Sequence, residues 1–165
     1  MESRDDETLH APHPHAAQAR ARRKAEAESI GISGGYIAAF VDRFYARIRQ
    51  DDMLGPIFNE QISDWPGHLV RMNHFWRSVL HGSGEYSGNP MAKHVTIPGL
   101  GEEHFAHWLE LFYATLRELE SDPEATRTVG TRARMIADSL LTGITMHRHG
   151  LLAARAGQNL PHVNA

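Results

Sequence analysis

Cysteine is missing from all 165 residues. That removes disulfide frameworks, thiolate metal sites, iron–sulfur clusters and cysteine nucleophiles, and it leaves the redox compartment open. Long apolar runs are missing too: nothing approaches the roughly 18 consecutive apolar residues of a spanning helix. The early arginines Arg20, Arg22 and Arg23 have no apolar stretch behind them, so no secretory signal is visible. A basic excess is lacking, since 17 Lys and Arg against 20 Asp and Glu leave a net charge of −3, which argues against a dedicated nucleic-acid binder. No run alternates with period two for long enough to make a strand, no internal repeat is visible, and the G-x-S-x-G, GxxxxGK[ST] and H-E-x-x-H motifs do not occur. What is present is a chain of 18.5 kDa with 41% hydrophobic and 22% charged residues. Those values suit one domain with a core, soluble and expected in the cytoplasm, with no membrane partner. Twelve histidines are its one compositional oddity.

Residues 1–34 read as a disordered or frayed tail: large apolar side chains are scarce, Pro12 and Pro14 interrupt it, and its charges nearly cancel. Its alanine-rich part, 17–29, is expected to form at most a frayed helix. From residue 35 to 148 the pattern is helical. Ile37, Phe40, Val41, Phe44, Tyr45 and Ile48 mark an amphipathic helix opened by Ser33. Leu54-Gly55-Pro56 breaks it. Ser63 or Asp64 caps a second helix with Pro66 in its first turn, and its stripe is Trp65, His68, Leu69, Met72, Phe75, Trp76 and Val79. A glycine-rich loop leads to a short helix begun by Asn89-Pro90 that carries His94. Phe105, Trp108, Leu109, Phe112, Leu116 and Leu119 mark another helix. Ser121 or Asp122 caps the last, whose face is Val129, Ala133, Ile136, Leu140 and Ile144. The chain beyond 149 lacks periodicity and reads as a loose extension. The expected fold class is all-α.

The histidines are the place to look for chemistry. His68 lies on an apolar stripe, where the ordinary role is a core imidazole bonded to a carbonyl. His94, behind a proline-started turn, would ordinarily be a surface residue. Tyr45 and Trp108 are polar-tipped aromatics on inward faces, and each needs a hydrogen-bond partner if buried. Four inward polar groups on four segments are costly unless they share a purpose. The aromatic faces around them (Phe44, Phe58, Phe75, Trp76, Phe105, Trp108, Phe112) suit a flat apolar cofactor, although an aromatic-rich bundle shows the same pattern. His104 and His107, three apart, could start a zinc site but have no third ligand in view. His147 and His149 sit where a helix dipole favours them, and His10, His13 and His15 lie in the tail.

Taken in order, Phe44-Tyr45, Asp51-Asp52-Met53-Leu54-Gly55-Pro56-Ile57-Phe58, Trp65 with His68, Phe75-Trp76, Tyr86-Ser87-Gly88-Asn89-Pro90 with His94, and His104-Phe105 with Trp108-Leu109 resemble the third group of truncated haemoglobins over about residues 35–147. The resemblance implies a truncated globin-like helical sandwich around haem b (iron protoporphyrin IX). In it His94 is the proximal iron ligand, Tyr45, His68 and Trp108 face the diatomic ligand, and Phe58, Met72, Phe75, Tyr86 and Phe105 with Trp108 pack on the cofactor. It implies binding of O2 and of NO or CO. Two or three distal donors would retain a polarised ligand tightly, which suits ligand chemistry or sensing better than O2 delivery. A haem-dependent NO dioxygenase or peroxidase-like enzyme, served by an external reductase, is the alternative reading, and a haem-free helical interaction module is a second.

Overall fold

The computed structural model describes residues 14–150 and 156–164. Among these all regular secondary structure is helical, with α1 (Pro14–Ser29), α2 (Gly34–Gln50), α3 (Gly55–Gln61), α4 (Trp65–His81), α5 (Pro90–His94), α6 (Glu102–Glu118) and α7 (Pro123–His149). The helix starts follow from capping chemistry. Ser33 Oγ accepts the Tyr36 amide, Asp64 that of Gly67, Asn89 that of Ala92, and Asp122 that of Glu124, and each satisfies a donor left over at a helix N-terminus. Pro66, Pro90 and Pro123 sit in the first turn, where a missing N–H costs nothing. Pro56 does the same at the start of α3, so the Leu54-Gly55-Pro56 break ends one helix and opens another. α4 closes on Gly82, whose φ of 67° is the left-handed cap that glycine adopts freely.

Helix α2 packs against α3, α4 and α6, and α6 packs against α7. Their shared core is aromatic at its centre. Phe40 meets Trp76 edge-on at 5.3 Å and Phe112 at 5.6 Å, and Trp76 and Trp108 both stack on Phe112, at 5.2 and 5.5 Å. Phe44 and Phe112 are therefore core residues, so part of the aromatic surplus of the sequence serves the core. No helix among the described residues is long and apolar enough to cross a membrane.

The two ends differ from what composition suggests. Residues 1–13, with His10 and His13, lie outside the described residues. The alanine-rich run of the expected tail is a sixteen-residue helix docked on α4 rather than a frayed one. It has almost no apolar face to advertise this contact. Ala27 is its buried residue and Ile32, just after it, is buried too; Arg23 donates to the Val79 carbonyl at 2.8 Å, and the buried His81 donates through Nε2 to the Ile32 carbonyl at 2.7 Å. At the other end, residues 156–164 lie against α6 and α7 instead of hanging loose. Leu160 is buried, Tyr113 donates to the Pro161 carbonyl at 2.8 Å, and Arg134 donates to the Leu160 carbonyl at 3.2 Å. A Cβ on Gly130 would collide with Val163 at 2.7 Å, so that glycine is what lets the segment approach α7.

Candidate functional site

A cavity of ≈ 410 Å³ is lined by residues of α2 through α7. Its size is that of a small-molecule or cofactor site. All nine residues singled out from the sequence line it: Tyr45, Phe58, His68, Met72, Phe75, Tyr86, His94, Phe105 and Trp108. The lining also includes Leu54 and Ile57 from the α2–α3 corner, Ile97 and Leu100 after α5, and Ile136 and Leu140 from α7. Ile136 and Leu140 stood on the inward stripe of the last helix, so their signal was available. Arg71 and Lys93 also line the cavity while remaining exposed. Nothing in the local pattern distinguishes them from other solvated charges.

His94 ends α5, and its Nδ1 lies 2.6 Å from the Pro90 carbonyl. A carbonyl oxygen only accepts, so Nδ1 carries the proton and the Nε2 lone pair is left available. This is the tautomer a metal-ligating histidine needs, with the carbonyl fixing the ring orientation.

His68 has the opposite character. Its Nε2 is buried and has no hydrogen-bond partner. Burial, reinforced by the Arg71 and Lys93 cations, pushes its pKa down from 6.5 to about 4, so the ring is neutral at neutral pH. A buried nitrogen without a partner is unusual enough to require a reason.

Tyr45 is buried among Phe44 (5.0 Å between ring centroids), Phe58 (6.2 Å), Trp65 (6.1 Å) and the edge-on His68 ring (5.0 Å). Burial, with a smaller repulsion from Tyr86, holds its hydroxyl well above the usual phenol range, so it is an O–H donor at any physiological pH. Trp108 is held edge-on by Phe44 at 5.3 Å and flat by Phe112. Tyr86 packs its ring on Phe75 at 5.1 Å, and its amide donates to Ser78 Oγ at 3.0 Å.

His104 and His107 have structural duties. His104 Nδ1 accepts the Gly101 amide at the start of α6. His107 Nε2 pairs with Asp51 Oδ1 at 2.7 Å and ties α6 to the α2–α3 corner. Burial works to raise the Asp51 carboxyl, but the hydrogen bonds from His107 and from the Leu54 and Met53 amides outweigh it and hold the carboxyl below its usual range. No cluster of three or more His, Cys, Asp or Glu that could hold a metal ion occurs among the described residues, so His104 and His107 do not begin a zinc site there.

The chemistry of this cavity fits a haem. It offers one imidazole with a free lone pair, a buried imidazole nitrogen without a partner, and a lining that is otherwise largely apolar. Arg71 and Lys93 line the cavity while remaining exposed, and their positive charge would suit the carboxylates of a porphyrin.

The comparisons with known proteins agree. Residues 28–141 match the family described as Bacterial-like globin. The chain is 37% identical over 105 residues to the Group 3 truncated hemoglobin ctb of Campylobacter jejuni, covering 61% of this chain and 82% of that protein. The crystal structure of the group III truncated hemoglobin from Campylobacter jejuni superposes with a TM-score of 0.64 at 34% identity, over 68% of this chain and 91% of the other. This chain belongs to the bacterial-like globins, in the group III truncated haemoglobins. Haem-based binding of small ligands is the general property of that family.

Proposed function

We propose that the cavity binds haem b with His94 as the axial ligand, and that Tyr45, Trp108 and His68 form the opposite, ligand-facing wall. The observation that carries the reading is the His94 tautomer: donation from Nδ1 to the Pro90 carbonyl leaves Nε2 as the ligating atom. Haem iron supplies reversible binding of O2 and of NO and CO. Phe58, Met72, Phe75, Tyr86 and Phe105 would pack against the cofactor and exclude water, while Arg71 and Lys93 would pair with its carboxylates. Tyr45 and Trp108 each present one donor, from O–H and Nε1–H, to a polarised ligand. Each such bond in a water-excluded site contributes about 1–2 kcal/mol, about tenfold in release. A pocket with two or three donors holds O2 for a long time, which fits ligand chemistry or sensing better than delivery.

The test is the absorption spectrum of the purified protein, which should show a Soret band. His94→Ala should lose most of its haem. A variant that keeps the wild-type spectrum would rule out His94 as the ligand and direct attention to His68 or His74.

A further inference from the structure

We propose that α7 positions His94, with Gly143 and Arg148 as the two positioning residues; this rests on the reading of His94 as the axial ligand. Helix α5 is only five residues long, far below the roughly 12–15 residues at which an isolated helix becomes even marginally stable. It follows a glycine-rich loop and precedes Pro98-Gly99, where Gly99 has a φ of 79°. Internal bonds do not fix where α5 lies, so a neighbour must.

That neighbour grips it at two points. Met91, three residues before His94, rests on Gly143. A Cβ on that glycine would fall inside the contact shell of the Met91 Sδ and Cε, so Met91 occupies the space a side chain at 143 would take. Beyond His94, the Arg148 guanidinium donates through Nη1 to the Leu100 carbonyl and through Nη2 to the Ile97 carbonyl at 3.2 Å. The rigid planar fork holds the two carbonyls in a fixed geometry, which a flexible ammonium would hold less firmly. The grips bracket His94 from both sides in sequence. Between them and the core, α7 also supplies Ile136 and Leu140 to the cavity wall, so one helix sets both the wall and the seat of the ligand. The Pro90 carbonyl sets how the imidazole is turned; α7 sets where it stands.

The test uses the haem-loaded full chain. The iron–histidine stretching band of the ferrous, ligand-free protein reads the bond that His94 makes, and haem transfer to excess apomyoglobin reads retention. Arg148→Ala should shift or broaden that band and speed haem transfer about tenfold, as expected for losing hydrogen bonds from a charged donor. Arg148→Lys should fall in between. Gly143→Val tests the other grip. The Met91 thioether is the flexible end of its side chain and could step aside for one methyl, but a branched side chain displaces it or α5. Adding Met91→Ala should return the band toward its wild-type position. A band and transfer rate left unchanged by a substitution remove that residue from the proposal, and unchanged values in both Arg148→Ala and Gly143→Val overturn it, even if the melting temperature falls. Should Arg148→Ala fail to fold, Gly143→Val with and without Met91→Ala decides. His94→Gly keeps the two readings apart. A wild-type band surviving in that variant overturns His94 as the ligand, whereas a lost band there with unmoved bands in the α7 variants overturns only the positioning role.

Discussion

Replacing Tyr45 by phenylalanine removes one oxygen and leaves the ring in place. The ring is what packs on Phe44, Phe58, Trp65 and His68, so the variant should fold as the wild type does and the change is confined to one donor. Tyr45 is 6% exposed, and water cannot replace the lost bond. A neutral buried hydrogen bond contributes about 0.5–1.5 kcal/mol and one to a charged group about 1.5–3, so a polarised diatomic ligand lies between, at about 1–2 kcal/mol. With about 1.4 kcal/mol per factor of ten, O2 release should speed up roughly 5- to 30-fold. Because burial keeps the Tyr45 hydroxyl protonated, the ratio of variant to wild-type rates should be flat across the neutral and mildly alkaline range. The assay is stopped-flow displacement of O2 by excess CO, with CO release measured by NO displacement in the same two proteins. CO is less polarised when bound and should respond much less. Equal acceleration of O2 and CO would show that the hydroxyl acts by bulk rather than by donating, and an unchanged O2 rate would take Tyr45 out of the ligand-facing wall.

Two further outcomes follow from particular side chains. The folded-state pKa of His68, about 4, lies below its unfolded value of 6.5, so the unfolded chain binds the extra proton first and stability falls as pH drops through that window, levelling off below it. With the displacement discounted by about half because the ring is partly exposed, urea unfolding of the haem-free chain between pH 7 and 4 should show about 1–2 kcal/mol of pH-dependent loss that His68→Gln lacks; identical profiles would refute the assignment. His81→Leu leaves the Ile32 carbonyl without the donor now 2.7 Å away, and should cost about 1–3 kcal/mol in urea titration and raise hydrogen exchange along α1. A cost with no change in α1 protection would show that His81 does not hold that helix.

Local patterns along the chain already mark where most helices lie and which faces they bury. The i, i+3, i+4 recurrence in α2, α4, α6 and α7 is the pattern of a helix with one dry side, and the caps at Ser33, Asp64, Asn89 and Asp122 are local chemistry within three residues of their targets. The nine cavity residues were legible only because their order and spacing resemble a known family. Periodicity alone put His68 and Tyr45 inward and left their partners open. Tertiary structure decided what each dry face meets. It brought Arg71 and Lys93 beside His68, left the His68 Nε2 without a partner, and set the Arg148 fork on carbonyls about fifty residues away. It also docked α1 on α4, with Ala27 buried and Arg23 bonded to the Val79 carbonyl, and drew residues 156–164 onto α7 across Gly130. The physical reason is the same in each case. A local pattern records that a side chain leaves water, whereas the identity of the group it meets depends on segments far away in the chain, and contacts made by backbone carbonyls and missing side chains leave no periodic trace.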